Sequence, residues 1–259
     1  LWIELQRLKK KKIMRTSKKQ FFWMAAFLGI LAAGWAGCTK SGSSYTTTPV
    51  TYVTVMNEAP YGPAATDVYL NNQLATGTAG IAAGAYSTKY GALQPGNYSI
   101  SFKKNGSDSL LTQITGQQTF DTLGFYTLIL YNDANKAAVH STLIHDDFST
   151  ISTTSTNFRF FNLSPDAPNV DFYLQSGSAA TLTGRTPADN ATAENLTTSP
   201  WNTFQSTAAG AYNLQVKVNG KDSVLASLNG QNLLGGNVYT IFLTGTTNSF
   251  KINVLQASY

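Results

Sequence analysis

The feature that most constrains this chain is that its body repeats at the scale of a whole domain. "VTVMNEAPYGPAATDVYL" (53–70) returns as "FRFFNLSPDAPNVDFYL" (158–174), in the same order of apolar strand, Asn, Pro-containing turn and Asp-x-Tyr-Leu. "LQPGNYSISFKKNGSDSLLTQITGQQ" (93–118) returns as "TAAGAYNLQVKVNGKDSVLASLNGQN" (207–232), and "FYTLILYND" (125–133) as "VYTIFLTGT" (238–246). A period of about a hundred residues is a domain, not a solenoid unit. The second copy carries an insertion, "RTPADNATAENLTTSP" (185–200), and "STISTTSTN" (149–157) reads as a linker. The expected organisation is one domain over 51–148 and another over 158–259.

Each copy reads as strands. Tyr98, Ile100 and Phe102 alternate with Ser99, Ser101 and Lys103, which puts them on opposite faces of a sheet. Asn105-Gly106 and Asn219-Gly220 follow, and an Asn-Gly pair predicts a type I′ hairpin turn. "YTLILY" and "YTIFLT" are continuous apolar runs, suited to a strand buried on both faces or to a sandwich core. No stretch after position 38 keeps a helical apolar period for three turns. The expected fold class is all-β: two tandem immunoglobulin-like or transthyretin-like β-sandwich domains after an N-terminal signal helix.

The front of the chain reads as an address. The net charge of +5 is misleading, because eight of the eighteen basic residues precede position 20. From Cys38 onward there are ten basic and twelve acidic residues, a balance of 10 − 12 = −2, so no nucleic-acid partner is expected. Residues 14–37 have the three parts of a secretory signal: cationic Arg15, Lys18 and Lys19, an apolar stretch from Phe21 to Ala33, and small residues before Cys38. The alternative is a retained signal anchor, since the apolar run of about 17 residues is marginal for a bilayer. Residues 1–13 lack a Met and read as an over-extended start.

Ala36 and Gly37 before Cys38 resemble the lipobox of bacterial lipoproteins, with Trp35 standing where Leu is usual. The resemblance implies a diacylated Cys38 and a membrane partner through that anchor. Cys38 is the only cysteine, so it has no partner for a disulfide. Residues 38–50 then form a polar tether. "FNLSPDAPNVDFYL", with the later Gly-x-Tyr strand and Asn-Gly turn, resembles the Bacteroidetes-rich family known as domain of unknown function 4397. The resemblance covers about 51–259 and departs in copy one, where "NEAPYGPAATD" replaces "NLSPDAPNVD". It implies an exported β-sandwich module, often in tandem and often on lipoproteins, and no agreed chemistry. The expected place is the cell envelope, lipid-anchored to the outer membrane, on either its periplasmic or its surface face.

Candidate chemistry is sparse. Asn162, Asp166 and Asp171 have the oxygen ligands of a hard-cation site, but Pro165 and Pro168 favour a plain turn in which Asp166 bonds nearby amides. His140 and His145 stand beside Asp146 and Asp147, yet five residues along a strand put the rings on opposite faces. No nucleophile elbow, phosphate loop or dinucleotide fingerprint occurs. No enzyme activity, metal or cofactor is therefore expected. Trp201 and Phe204, beside the insertion, are the candidate ligand-binding aromatics, for glycans or envelope proteins. Ser109, Thr122 and Ser223 resemble the Asp-Ser/Thr-apolar acceptor of Bacteroidetes O-glycosylation. The expected role is binding, adhesion or surface scaffolding, the alternative a carbohydrate-binding accessory lipoprotein.

Overall fold

The computed structural model describes residues 48–136, 138–175, 179, 181–188, 196–197 and 200–257. Cys38, the signal segment, most of the tether and much of the 185–200 insertion lie outside them. Every regular element described is a strand. The first half contains β1 (Thr51–Glu58), β2 (Ala65–Leu70), β3 (Gln73–Leu74), β4 (Ile81–Ala82), β5 (Ala85–Tyr86), β6 (Gly91–Leu93), β7 (Gly96–Lys104), β8 (Leu110–Phe120), β9 (Phe125–Asn132) and β10 (Val139–His145). The second contains β11 (Thr156–Asn162), β12 (Val170–Tyr173), β13 (Leu182–Arg185), β14 (Gln205–Thr207), β15 (Gly210–Val218), β16 (Val224–Leu233), β17 (Val238–Thr244) and β18 (Lys251–Gln256). β11 begins inside the expected linker, whose Thr156 and Asn157 are buried.

Each half is a sandwich of two sheets. In the first, β10-β9-β1, edged by β5 and β6, faces β8-β7-β2, edged by β3 and β4. In the second, β18-β17-β11-β14 faces β16-β15-β12-β13. β1 runs parallel to β9, and β11 parallel to β17; the other pairings are antiparallel. The registers match as well: Val53 pairs with Tyr126 as Phe158 pairs with Tyr239.

The two sandwiches stack sheet against sheet. Met56, Ile129, Tyr131 and Ile144 of the first half share one buried cluster with Phe161, Phe242 and Leu255 of the second. The described residues therefore form four β layers, and the inner two are covered on both faces. This settles the reading of the apolar runs. Along β9, Tyr126, Leu128 and Leu130 point into their own sandwich, while Ile129 and Tyr131 point at the other. A strand with both faces covered has no polar side to show, so its sequence is a continuous run.

The repeated motif proves to be a brace for the hairpin turns. Asp67 Oδ1 accepts from Asn105 Nδ2 (2.8 Å) and its Oδ2 from the Gly106 amide (3.2 Å). Asp171 does the same with Asn219 Nδ2 (2.7 Å) and the Gly220 amide (2.9 Å), and also takes the Gly184 amide (2.9 Å). One carboxylate thus ties the second strand of each motif to the Asn-Gly turn beside it. The expected type I′ geometry does not occur there, because only Gly106 and Gly220 take positive φ (68° and 67°). Each asparagine spends its side chain on the aspartate, and the loop opens to five residues between β7 and β8. Two positive φ angles in succession occur instead at Asn71 and Asn72 (49° and 63°), the two-residue turn joining β2 to β3.

Candidate functional site

A buried ion pair lies between the sandwiches. Arg159, 1% exposed, projects from β11 toward the first half, where its Nη2 lies 2.7 Å from Asp146 Oδ1. Its Nε donates to Thr240 Oγ1 (3.0 Å) and Nη2 to Thr127 Oγ1 (3.4 Å). The Phe161 and Phe204 rings lie 5.0 and 4.5 Å from the guanidinium carbon. Asp146 Oδ2 accepts from Thr127 Oγ1 (2.6 Å) and Tyr90 OH (2.8 Å). Burial, then the Asp146 charge, pushes the Tyr90 hydroxyl far up, so it stays a donor. The pair is enclosed and joins the two halves, although Arg159 Nη1 is buried without a hydrogen-bond partner.

Two further acids mark the same seam. Glu58 is fully buried, and Thr244 Oγ1 donates to its Oε2 at 2.7 Å across the interface. Burial pushes its carboxyl up to about 7, against the smaller pull of the Thr244 bond. Asp166 does not cap its own turn as expected. It accepts from Tyr61 OH (2.9 Å) and the Thr247 amide (2.7 Å), and Lys136 Nζ lies 2.6 Å away. Its carboxylate joins one turn of its own half to two turns of the other. Burial works against the charge, but Lys136, Thr247 and Tyr61 together outweigh it and hold Asp166 at about 2.

The residues singled out from sequence fall in different places. Trp201 and Phe204 are half-buried, and each ring carries an arginine on its face: Arg185 4.4 Å from Trp201, and Arg159 on Phe204. Phe204 also packs on Phe148, whose ring is 5.6 Å away. Of the insertion, Ala188 and Leu196 belong to the cluster between the sandwiches. Ser109, Thr122 and Ser223 are exposed on turns. His145 stacks on Tyr126 and His140 on Tyr131, on opposite faces of β10. Among the described residues no three His, Cys, Asp or Glu side chains are grouped to hold a metal, and no helix is long and apolar enough to cross a membrane. Cys38 lies outside the described residues.

A feature shaped to receive a ligand, among the described residues, has no counterpart in the sequence expectations. Along the open edge of the first sandwich, β3 and β4 follow the edge of β2, while β5 and β6 follow the edge of β1. Between them lies a cleft of about 380 Å³ reaching the interior. Its floor is Val53, Val55, Val68, Leu70 and Leu128; Ala75 to Gly77 form one lip, Ser87, Lys89 and Gly91 the other. A second hollow of about 430 Å³ continues it past Leu70 and Leu93.

The second sandwich shows why the cleft exists. Matched through Asn57 and Asn162, Val53 and Val55 correspond to Phe158 and Phe160, in the same register beside β9 and β17. Both valines are half-buried, whereas Phe158 and Phe160 are 1% and 0% exposed. Phe160 stacks on Phe172 with ring centres 4.6 Å apart. The neighbouring pair conserves volume, with Val68 opposite Phe102 in one half and Phe172 opposite Val216 in the other. Two missing phenyl rings on β1 thus leave space that their counterparts fill.

Residues 51–173 match the model of a family described as Domain of unknown function (DUF4397). The matched segment contains the whole first sandwich and ends with β12 of the second. Among curated proteins none matches the chain.

Proposed function

We propose that this is a non-catalytic binding protein of the cell envelope, built from two modules of the matched family and lipid-anchored to the outer membrane through Cys38. The first module, 51–148, carries the ligand site in its edge cleft; the second, 158–259, is the packed support against which it is held. One observation carries this reading: the interior of the first sandwich is open to solvent where that of the second is closed by Phe158 and Phe160. A cleft of this size with apolar walls and a few polar groups at its rim is the usual form of a small-molecule site. The carbohydrate-binding alternative draws less support, because Arg185 and Arg159 cover ring faces on Trp201 and Phe204 that a sugar would need.

The test is titration of the full chain carrying Cys38→Ser with an environment-sensitive apolar dye. A single saturable site, lost in Val53→Phe/Val55→Phe, is expected. Equal dye binding by that double variant would remove the cleft from the account. The anchor has a separate test: palmitate labelling of the native chain that disappears in Cys38→Ser. The membrane face, periplasmic or outward, is read by protease accessibility on intact cells.

A further inference from the structure

The cleft also has a charge signature that narrows its ligand. Neither it nor its continuation is lined by any Asp or Glu. Asp67 lies behind Gly80, but its two oxygens are taken by Asn105 and the Gly106 amide. The lining contributes one charge, Lys89, which is exposed on the lip and makes no ion pair among the described residues. Beside it Ser87 adds a hydroxyl. The continuation adds no charge, only neutral polar groups, of which Gln73 and Gln94 are exposed. Asn71 already bonds Ser99 and the Asn97 carbonyl, and Tyr98 OH donates to the Gln94 carbonyl.

We infer that the cleft binds a free single-chain amphiphile with an anionic head, of the fatty-acid class, its chain between the sheets against Val53, Val55 and Leu128 and its head group at Lys89. This rests on the binding reading above and adds the ligand's chemistry. The apolar floor supplies the driving force, through area removed from water. Lys89 supplies orientation and selects against cationic heads, since charge complementarity discriminates more than it tightens. A volume of about 380 Å³ is at the small end of the ~300–1,000 Å³ of small-molecule sites, which suits one chain rather than two.

The experiment is calorimetric titration of the full chain carrying Cys38→Ser with decanoate, decanol and decyltrimethylammonium below their aggregation limits. Decanoate should bind at one site, decanol roughly three- to fivefold more weakly, and the cation more weakly still, as an exposed ion pair allows. Lys89→Ala should weaken decanoate to the level of decanol and leave decanol unchanged. Equal binding of decanoate and decanol, or no effect of Lys89→Ala, would overturn the anionic assignment while leaving the binding reading standing. If none of the three binds, or if they bind Val53→Phe/Val55→Phe as well as the parent, both fall. Should that double variant not fold, Ala75→Phe on the exposed lip replaces it, with the same loss expected. Decanoate binding that is competed away by phosphatidylglycerol vesicles would overturn the free-amphiphile assignment in favour of a bilayer lipid.

Discussion

The first and second sandwiches share strand order, register and turn bracing, yet the first has an open interior where the second, among the described residues, is filled by Phe158 and Phe160. Phe158 and Phe160 sit where the first half has Val53 and Val55, with the pairing to β9 and to β17 the same. Features that fix the backbone recur in both halves: Asp67 and Asp171 on the Asn-Gly turns, and Tyr126 OH and Tyr239 OH accepting backbone amides five residues upstream. Features that differ lie in the sandwich interior, in the edge connection and on the shared seam. A duplicated module held by a rigid partner can leave its own core incomplete, because the seam supplies burial that the core forgoes. That is how a cleft can persist in so small a domain.

The seam gives the largest expected effect. Arg159 stands where the first half has Thr54, and it is the cation that neutralises Asp146. Arg159→Leu should destabilise the protein by about 3–5 kcal/mol, because it leaves a buried carboxylate without its counter-charge. Denaturant unfolding measures this, and a loss below 1 kcal/mol would show that the seam does not depend on the pair.

Glu58 stands where the second half has Leu163, and its effect depends on pH. Its carboxyl is raised from an ordinary 4.5 to about 7, so between those values the folded state holds the proton more tightly than the unfolded chain. Stability should therefore fall as pH rises from about 4.5 to 7 and then level off, by about 3 kcal/mol in all. Glu58→Gln keeps an acceptor for Thr244 and should abolish this slope. An unchanged slope in the variant would place its source elsewhere.

The shared turn brace predicts a smaller effect in both halves, the larger at Asp171, which also takes the Gly184 amide. Asp67→Ala and Asp171→Ala should each cost roughly 1–2 kcal/mol by leaving turn donors without their acceptor. Burial raises the Asp171 carboxyl, but the Gly220, Asn219 and Gly184 bonds together lower it below its ordinary 3.8. Its contribution is thus complete above that value and is lost as pH falls below it. A larger loss at Asp67 than at Asp171 would mean that the two turns are not equivalent. The smallest effect is expected at Trp201→Ala, about 0.5–1 kcal/mol from the stack on Arg185, with decanoate affinity unchanged.

Much of this architecture was legible in the sequence. Alternation in Tyr98, Ile100 and Phe102 gave their strand, and the internal repeat gave two sandwiches of one pattern. The apolar runs of β9 and β17 allowed a doubly covered strand, but periodicity alone could not say what covers the second face. The Arg159–Asp146 pair escaped because the two residues sit on either side of a loop that reads as a linker, and only stacking of the halves brings them together. The Asn-Gly turns were located, but not their geometry, since Asp67 lies 38 residues from Asn105. The cleft had a signal after all: valines at 53 and 55 against phenylalanines at 158 and 160. Both pairs suit a core strand, so the difference becomes meaningful only once register shows that they fill equivalent space.

The most direct measurement is the thermal unfolding of Val53→Phe/Val55→Phe without any ligand. If the first sandwich is underfilled relative to the second, the added rings occupy existing space, and the melting temperature should hold or rise. If the valines are already close-packed, the rings overfill the core, and stability should drop by about 1–3 kcal/mol or more. Such a drop would contradict an open first sandwich.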